Sequence, residues 1–522
     1  MTDSSAPGSD RRRLGEPAAL AAVVGFAAAV MFASHRAGHW WGDDWALYLR
    51  QAEALLDGSP GRVLRENDFT VSNSLGAGFS PTLYPWGFPL LLAPFVAALG
   101  NDLDRLAVVP VLAASAFSVA WYLLARRHVA VVPALLGSSA VVLSPLVLGW
   151  TELIQSELPF MAVVAWSLVL LDRLVDSERL VGPTVRILPL VGLGTCAAAA
   201  FAVRREGLAL LAAIAIAQLG AIGAAWRRGR RPGLADVILL TLPHQVFVVT
   251  TWLLQIVLPT TVIPSTTGAS LLNVWRFRER HAEHLLELVG LKRPWEDDPT
   301  VFGVSTIGWV VGIAFFVFAA AGGVLAVGRR RDAHLAAYAV VALAIGGSSR
   351  VLLNRYVCTV GPVVLVLVMI GVVATVSVVD PDRSIRRLRG VRLDTAILTL
   401  AMAALVAGNL ANAHLRVDQA GELARTGAIE WGPTHPDATA MFDEVAARSD
   451  ADSVIGAPKA RAMTFATGRS AVQIDDYRPV PDIDLDLIVT EIGSSIDVTL
   501  GSDPALELVW SNARFRIHRP NR

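Results

Sequence analysis

The sequence predicts an all-α polytopic membrane protein, with about eleven transmembrane helices, followed by a small α/β domain. Hydrophobic residues make up 54% of the 522 positions and charged residues 17%, and the mean hydropathy is +0.51. A soluble protein of this size carries more charge on its surface. Long apolar runs recur up to about residue 413, whereas the remainder has the composition of an ordinary globular domain.

Each predicted span is an apolar run close to the roughly 20 residues that a helix needs to cross hydrocarbon. Two of the runs, 158–172 and 333–347, are short. The predicted spans are 17–34, 104–125, 129–149, 158–172, 187–203, 207–226, 234–258, 303–327, 333–347, 356–379 and 394–413.

The run from Trp86 to Leu99 decides the topology. It is short and contains two prolines, which favours an interfacial or re-entrant helix over a span. Without it, the later arginine clusters fall on the same side as Arg11–Arg13, which the positive-inside rule makes cytoplasmic. The clusters are Arg126–Arg127, Arg173 with Arg179, 227–231, Arg329–Arg331 and 383–392.

This topology divides the chain into three parts. Residues 1–16 are predicted to be a disordered cytosolic tail, so the N-terminus is cytoplasmic and the first helix is a retained span of the cell membrane. Residues 17–413 form the transmembrane domain, with outer loops at 35–103 and 259–302. Residues 414–522 form an extracytoplasmic domain, which is large enough to have its own core.

Alternating patterns in the tail predict a small α/β domain. Two helices are expected, at Ala438–Ala447 and Lys459–Ala466. Four strands are expected, at Ser453–Gly456, Leu487–Thr490, Ala505–Trp510 and Ala513–His518.

Composition also limits the partners. The arginine clusters lie in short gaps between apolar runs, a pattern that differs from a nucleic-acid footprint, so no nucleic acid is expected. Both cysteines, Cys196 and Cys358, lie inside apolar runs, which suggests neither a disulfide framework nor a zinc site.

Two adjacent carboxylates, Asp43 and Asp44, follow the first span on the predicted outer face. A charge at the centre of a membrane helix costs about 2.5–3.5 kcal/mol on insertion scales, and such residues usually mark functional sites. The apolar positions from Trp45 to Leu56 recur at helical spacing, which predicts an amphipathic interfacial helix ended by Gly58. Asp43 is expected at its N-cap, and capping is the alternative explanation for the acidic pair.

Further polar residues are predicted at the same face. Tyr84 begins the excluded apolar run, where an interfacial aromatic anchor is the alternative. Glu157 directly precedes a span. Arg204 and Arg205 break the positive-inside pattern, as does Arg355, which is followed by Tyr356. Guanidinium groups match phosphate oxygens, although pairing with carboxylates or lipid headgroups also explains them.

These motifs, in this order, resemble the GT-C class of polytopic glycosyltransferases, such as the protein O-mannosyltransferase and aminoarabinose transferase families. The resemblance covers most of residues 17–380 and departs at Gly42, where relatives often carry proline. The motifs are Gly42-Asp43-Asp44, Tyr84-Pro85-Trp86-Gly87-Phe88-Pro89, Ser156-Glu157-Leu158-Pro159-Phe160, Arg204-Arg205-Glu206-Gly207-Leu208 and Arg355-Tyr356. The tail, with Ala457-Pro458-Lys459-Ala460-Arg461, looks like the extracytoplasmic domain of bacterial members.

The resemblance implies transfer of a sugar from a polyprenyl-phosphate-linked donor to an acceptor hydroxyl on a glycan, lipid or protein, with inversion. Asp43 matches the catalytic base and Asp44 the second acidic position, while Glu157, Arg204, Arg205, Arg355, Tyr84 and Tyr356 are expected to bind substrate. No cofactor is expected, although Asp43, Asp44 and Glu157 are suitable ligands for a divalent cation. A secondary transporter and a non-catalytic scaffold for envelope assembly remain alternatives.

Overall fold

The computed structural model describes most of the chain. The described residues are 8–74, 81–176, 180, 187–229, 233–259, 270–292, 305–329, 332–349, 354–379, 387–388, 391–474 and 483–521. Parts of the predicted arginine clusters, at 179, 230–231, 330–331, 383–386 and 389–390, lie outside these residues.

Nineteen helices are described before the C-terminal domain, and short 3₁₀ turns occur at Arg205–Leu208 and Cys358–Val360. The helices are α1 Gly8–Ala33, α2 Asp44–Leu56, α3 Pro60–Asn73, α4 Gly87–Leu99, α5 Leu103–Leu106, α6 Val108–Arg126, α7 Val131–Val142, α8 Pro145–Thr151, α9 Glu157–Asp176, α10 Ile187–Val203, α11 Ala209–Arg227, α12 Leu234–Val257, α13 Leu271–Arg276, α14 Arg278–Leu288, α15 Ser305–Arg329, α16 Ala333–Gly347, α17 Asn354–Val357, α18 Gly361–Val379 and α19 Leu393–Thr426.

Among the described residues, eight helices are long and apolar enough to cross a membrane. A ninth span exists if α7 and α8 count as one, since they are bent by 57° where Pro145 begins α8. The other two predicted spans are the apolar helices α10 and α16, of 17 and 15 residues. The short predicted span 158–172 belongs to a helix of 20 residues, α9. The prediction of a polytopic α-helical membrane protein is therefore confirmed.

Contacts between α1 and α6 show that the segment joining them, which contains α4, starts and returns at one end of the bundle. The His35 ring nitrogen Nε2, just after α1, lies 3.1 Å from the Asp104 carboxylate at the start of the next span. At the other end of the pair, Glu16 accepts hydrogen bonds from Tyr122 (2.6 Å) and Arg126 (3.1 Å). Segment 34–103 therefore begins and ends on one side, as the interfacial prediction for residues 86–99 requires. We call the side of His35 and Asp104 the loop end, and that of Glu16 and Arg126 the arginine end.

A charged cluster occupies the arginine end. Arg127 binds Asp172, Asp176 (2.6 Å) and Asp332 (3.5 Å), and the His334 Nε2 atom lies 2.7 Å from Asp172. These groups come from the ends of α6 and α9 and the start of α16. The predicted arginine clusters at 126–127 and 173 therefore share one side of the bundle.

The C-terminal domain follows α19, which continues past the predicted span 394–413 to Thr426 and ends at Gly427 with φ +65°. Its helices are α20 Pro436–Arg448, α21 Ala460–Thr467 and α22 Ser495–Gly501. Its sheet has the order β4-β3-β5-β7-β6, parallel across β4, β3 and β5 and antiparallel across β5, β7 and β6. The strands are β3 Val454–Ala457, β4 Ser470–Gln473, β5 Leu487–Glu491, β6 Leu506–Ser511 and β7 Phe515–Pro520; the pair β1 Arg387–Leu388 and β2 Val391–Arg392 precedes α19.

The expected α/β domain is thus present, and every predicted element lies within two residues of an observed one. Strand β4 and helix α22 were missed. The predicted domain boundary between 413 and 414 falls inside the continuous helix α19, and it stays a prediction. Residues 8–16 of the predicted disordered tail are part of α1, whereas residues 1–7 lie outside the described part.

Candidate active site

Helix α2 places the acidic pair at the loop end, but it is not the surface helix that its pattern predicts. Gln51 is fully buried and Arg50 nearly so, because α4 and the C-terminal domain cover α2 on both sides. The Gln51 amide pairs with the backbone of Tyr84, donating to its carbonyl (3.0 Å) and accepting from its N–H (3.1 Å). The polar face therefore fixes the loop that carries Tyr84, and its predicted exposure is wrong. The position of α2 at the membrane interface stays a prediction.

Asp43 precedes α2 as expected, yet its carboxylate makes no capping bond to that helix. It accepts hydrogen bonds from the backbone N–H groups of Ala462 (3.0 Å) and Arg461 (3.4 Å), at the start of α21 in the C-terminal domain. Burial raises the pKa of Asp43 above its ordinary value, although the charge of Arg461 and the Ala462 hydrogen bond oppose the shift. The predicted N-cap role is thus replaced by a contact between two domains.

Asp44 has the opposite electrostatic setting. Its carboxylate accepts hydrogen bonds from the Tyr84 hydroxyl and the Arg355 guanidinium. Burial alone raises the pKa of Asp44, but the Arg355 charge and these hydrogen bonds outweigh it, so that the pKa lies below its ordinary value. The pKa of Tyr84 is raised, by burial first and then by the Asp44 charge. Neighbouring aspartates therefore differ, with Asp43 the stronger base.

Glu157 and two arginines form the deep part of the site. Glu157 is 1% exposed and accepts from Arg204 Nη1 at 2.6 Å, and the Arg355 Nε atom lies 3.9 Å away. Arg204 also donates to Glu206 at 2.9 Å. The Tyr356 ring lies near both guanidiniums, with its centroid 5.7 Å from Arg204 and 5.5 Å from Arg355. Arg355 thus connects Glu157 to Asp44.

Several buried polar atoms of this cluster lack a partner. Among the described residues, no hydrogen-bond partner is present for Glu157 Oε2, Arg204 Nε or Arg355 Nε. Unsatisfied buried polar groups are unusual, and each needs an explanation such as a ligand or water site. Three such atoms in one cluster are typical of a binding site.

The structure brings seven of the eight predicted site residues into one network of contacts. These are Asp43, Asp44, Tyr84, Glu157, Arg204, Arg355 and Tyr356. The eighth, Arg205, is half-buried, and its guanidinium stacks on Phe201 of α10 at 4.5 Å from the ring centroid. The ion pairs with Glu157 and Glu206 are made by its neighbour Arg204.

Arg461 is a site residue that the sequence interpretation missed. It is 1% exposed and donates to Asn67 Oδ1 (3.0 Å), the Pro81 carbonyl (2.8 Å) and the Tyr84 hydroxyl (3.2 Å). The C-terminal domain therefore reaches both members of the acidic pair, Asp43 through its backbone and Asp44 through Tyr84. The segment 457–461 was noted only as a tail motif, and nothing in the sequence pairs it with the first loop.

An open cavity of about 570 Å³ adjoins this network, with Asp43, Asp44 and Arg355 in its wall. It also has Trp40 and Trp431 in its wall, together with a second charged group centred on Glu152. Among the residues described, no group of three or more histidine, cysteine, aspartate or glutamate side chains is arranged to hold a metal ion. The expectation that no metal cofactor is needed stays a prediction from sequence.

Solved structures of similar fold match nearly the whole chain. ArnT from Cupriavidus metallidurans bound to undecaprenyl phosphate matches with a TM-score of 0.56 at 12% identity, over 95% of this chain and 97% of ArnT. The apo state of ArnT gives 0.53 with the same identity and coverage. The apo oligosaccharyltransferase of Archaeoglobus fulgidus gives 0.49 at 14% identity, over 91% and 69% of the two chains.

No protein-family model matches the sequence, and no curated protein sequence matches it. The similarity to ArnT, a GT-C glycosyltransferase, extends over both the membrane helices and the C-terminal domain. At this level of identity it establishes the fold. The chain has a GT-C-like polytopic membrane architecture, as its sequence motifs predict.

Proposed function

We propose that this protein is a membrane glycosyltransferase that moves a sugar from a polyprenyl-phosphate-linked donor to an acceptor hydroxyl. The observation that carries the proposal is the ion pair between Asp44 and Arg355, which joins the first loop to a turn 311 residues later at one end of a GT-C-like bundle. An ion pair that only stabilised the fold would not need buried polar atoms without partners beside it. Glu157 and Arg204 both have such an atom here, which favours a binding site.

In the proposed reaction, Asp43 accepts the proton of the acceptor hydroxyl as that oxygen attacks the anomeric carbon. The bond between this carbon and the phosphate oxygen breaks, and the polyprenyl phosphate leaves with the bonding electrons. One direct displacement inverts the anomeric centre. Asp43 suits this role because its raised pKa makes it the better base of the pair, and two backbone N–H bonds leave lone pairs free on its carboxylate.

The arginines have the complementary role. Arg204 and Arg355 present buried guanidinium groups that can donate hydrogen bonds to the phosphate of the sugar donor. Such hydrogen bonds stabilise the charge that develops on the phosphate as it departs. In this proposal Asp44 and Glu157 orient Arg355, while Glu157 and Glu206 orient Arg204. Arg205, Tyr84 and Tyr356 line the approach to this phosphate.

The donor lipid needs an apolar channel that reaches the site. An apolar cavity of about 800 Å³ lies among α13, α14, α15, α16 and α18, with Leu285, Leu343 and Val364 in its wall. Helix α17, which carries Arg355, packs against α14 and α16 beside it. We assign this cavity to the polyprenyl chain, a ligand type that ArnT binds as undecaprenyl phosphate.

The proposed orientation follows the positive-inside rule. The arginine end faces the cytoplasm, and the loop end, with the site and the C-terminal domain, faces the extracytoplasmic side. The direct contact between Asp43 and α21 requires that the first loop and the C-terminal domain share one side, whichever side that is.

The test is sugar transfer by the full chain reconstituted in lipid vesicles with polyprenyl-phosphate sugars and an extract of cell-envelope acceptors. Asp43→Asn is expected to abolish transfer, because an amide does not accept the proton. Asp57→Asn is the matched control, since Asp57 is an exposed carboxylate at the other end of α2, paired with Arg62. Transfer by Asp43→Asn at the unmodified rate would remove Asp43 as the base. Uptake of a solute by vesicles that lack a donor would instead favour a transporter.

A further inference from the structure

The cavity beside Asp43 contains a second charged group that the proposed donor chemistry does not use. Glu152, 9% exposed, accepts from Arg36 Nε (3.3 Å) and Nη2 (3.0 Å), and Arg416 of α19 lies 3.5 Å from it. Arg36 also lies 3.6 Å from Glu430. Arg36 follows α1, Glu152 follows α8 and Arg416 belongs to α19, so three segments that are far apart in the sequence converge at this wall.

Two tryptophans lie in the wall of the same cavity. Trp40 is 49% exposed and Trp431 is 48% exposed, unusual for large aromatic side chains that line a cavity. Their segments cross where Gly38 (φ +116°) meets Gly432 (φ +103°), and a Cβ atom at Gly432 would overlap the carbonyl oxygens of Gly38 and His39. Only glycine allows this backbone approach, so the placement of both indoles is built into the fold.

The charge of the wall indicates what it binds. Its guanidiniums are Arg36, Arg355 and Arg416, and its carboxylates are Asp43, Asp44, Glu152 and Glu430. The nearby His39 is neutral at pH 7, because burial lowers its pKa to about 4. In the group around Glu152, the two guanidiniums of Arg36 and Arg416 are balanced by the two carboxylates of Glu152 and Glu430, so this part of the wall has no net charge with which to attract an anionic acceptor. A neutral ligand rich in hydroxyl groups can use the paired charges as hydrogen-bond donors and acceptors.

We propose that this part of the cavity is the acceptor subsite and that the acceptor is an uncharged glycan. The Trp40 and Trp431 indoles pack against the apolar C–H faces of its sugar rings, while Arg36, Glu152 and Arg416 bind its hydroxyl groups. One hydroxyl then points toward Asp43, which shares the cavity wall. The inference rests on the proposed glycosyltransferase function and narrows its acceptor from glycan, lipid or protein to a neutral glycan.

The test is direct binding by saturation-transfer NMR with the full chain in detergent. The probes are neutral manno-, arabino-, galacto- and malto-oligosaccharides of four to six sugars, each beside a sugar-phosphate counterpart. We expect at least one neutral series to bind, and its phosphorylated counterpart to bind more weakly. Trp431→Ala should weaken that binding about tenfold, and Trp431→Phe should restore most of it. Trp252→Ala, which removes an exposed indole from α12, should change nothing.

Three results would overturn the inference. They are no binding by any neutral oligosaccharide, tighter binding of the phosphorylated series, and unchanged binding by Trp431→Ala. The last, together with weaker retention of the variant in vesicles, would identify the two indoles as membrane anchors. Asp43→Asn separates this inference from the proposed reaction, because it should bind the oligosaccharide normally while transfer is lost. Normal transfer by that variant, combined with lost binding in Trp431→Ala, would remove the assigned base and keep the subsite.

Discussion

Replacing Arg461 separates what the C-terminal domain does for stability from what it does for the acidic pair. Arg461→Met removes both the positive charge and three side-chain hydrogen bonds, while it keeps a long apolar stem. Arg461→Lys keeps the charge and loses most of the bonds. Comparing the two variants therefore separates the effect of the Arg461 charge on the pKa of Asp43 from the effect of its hydrogen bonds on the stability of the protein.

The stability effect follows from the partners that the methionine variant leaves behind. The Tyr84 hydroxyl still donates to Asp44, and the Pro81 carbonyl still accepts from the Asn67 side-chain amide at 3.5 Å, so the described acceptor that loses its partner is Asn67 Oδ1. A buried unsatisfied group costs about 1–3 kcal/mol, which is the loss expected for this variant before relaxation. Thermal unfolding of the detergent-solubilised chain, followed by tryptophan fluorescence, should show a lower midpoint.

The electrostatic effect appears in the pH dependence of transfer. The charge of Arg461 lowers the pKa of Asp43, so its removal raises that pKa further above the ordinary value. A base acts only when deprotonated, so activity falls as pH drops through its pKa. The acidic limb should therefore move to higher pH in Arg461→Met and stay in place in Arg461→Lys. Arg469→Met is the matched control, since Arg469 bonds only within its domain in the contacts described, and it should lower stability without moving the limb. An unmoved limb in Arg461→Met refutes this reasoning.

Three further predictions test the packing, the loop and the topology. Gly322→Ala should destabilise the bundle by about 1–3 kcal/mol, because its Cβ would overlap the Leu367 carbonyl. Gly323→Ala is the matched control, since a Cβ at Gly323 meets nothing within 4 Å. Equal unfolding midpoints for the two variants would contradict this prediction. The His39 ring accepts a hydrogen bond from the Ile154 N–H (2.9 Å), and burial lowers its pKa from 6.5 to about 4. Because the unfolded chain then binds more protons, the free energy of unfolding should fall as the pH drops from about 6.5 toward 4. A His39→Gln variant should lose this part of the pH dependence, and a variant that keeps it would disprove the assignment. In a chain without native cysteines, Asn101→Cys should react with an impermeant thiol reagent added outside whole cells and Arg228→Cys should not; the reverse pattern would invert the topology.

The sequence predicts the helices well because the membrane imposes a strong constraint on each one separately. A run of apolar residues must form a helix whatever its neighbours are, so nearly every predicted span corresponds to a helix. The bend at Pro145 and the extension of α19 to Thr426 are harder to predict, since both depend on packing at the loop end. Strand β4 has the same length as the predicted strand β3, but it was missed because Ser470–Gln473 contains only one β-branched apolar residue, Val472.

The site was predicted by the same kind of reasoning, one residue at a time. Asp43, Glu157 and Arg204 are candidate site residues because a charge beside an apolar span requires an explanation. Arg461 carried no such signal, because an arginine in a globular domain is ordinary until its burial is known. The predicted capping bond of Asp43 and the predicted exposure of the polar face of α2 failed for one reason. Local patterns do not show that a domain more than 400 residues later covers that helix.

The charges of the site also constrain how donor binding and catalysis can be combined. Four carboxylates and three guanidiniums meet here. The carboxylates are those of Asp43, Asp44, Glu157 and Glu206, and the guanidiniums are those of Arg204, Arg355 and Arg461. An incoming phosphate therefore adds negative charge to a cluster that already has one carboxylate in excess. Of the adjacent aspartates, Asp43 takes up a proton more readily, because its pKa is raised while that of Asp44 is lowered. In the proposed reaction, protonation of Asp43 would thus favour binding of the anionic donor and remove the base. The backbone N–H groups of α21 and the charge of Arg461 oppose that protonation. The C-terminal domain therefore helps to keep Asp43 deprotonated.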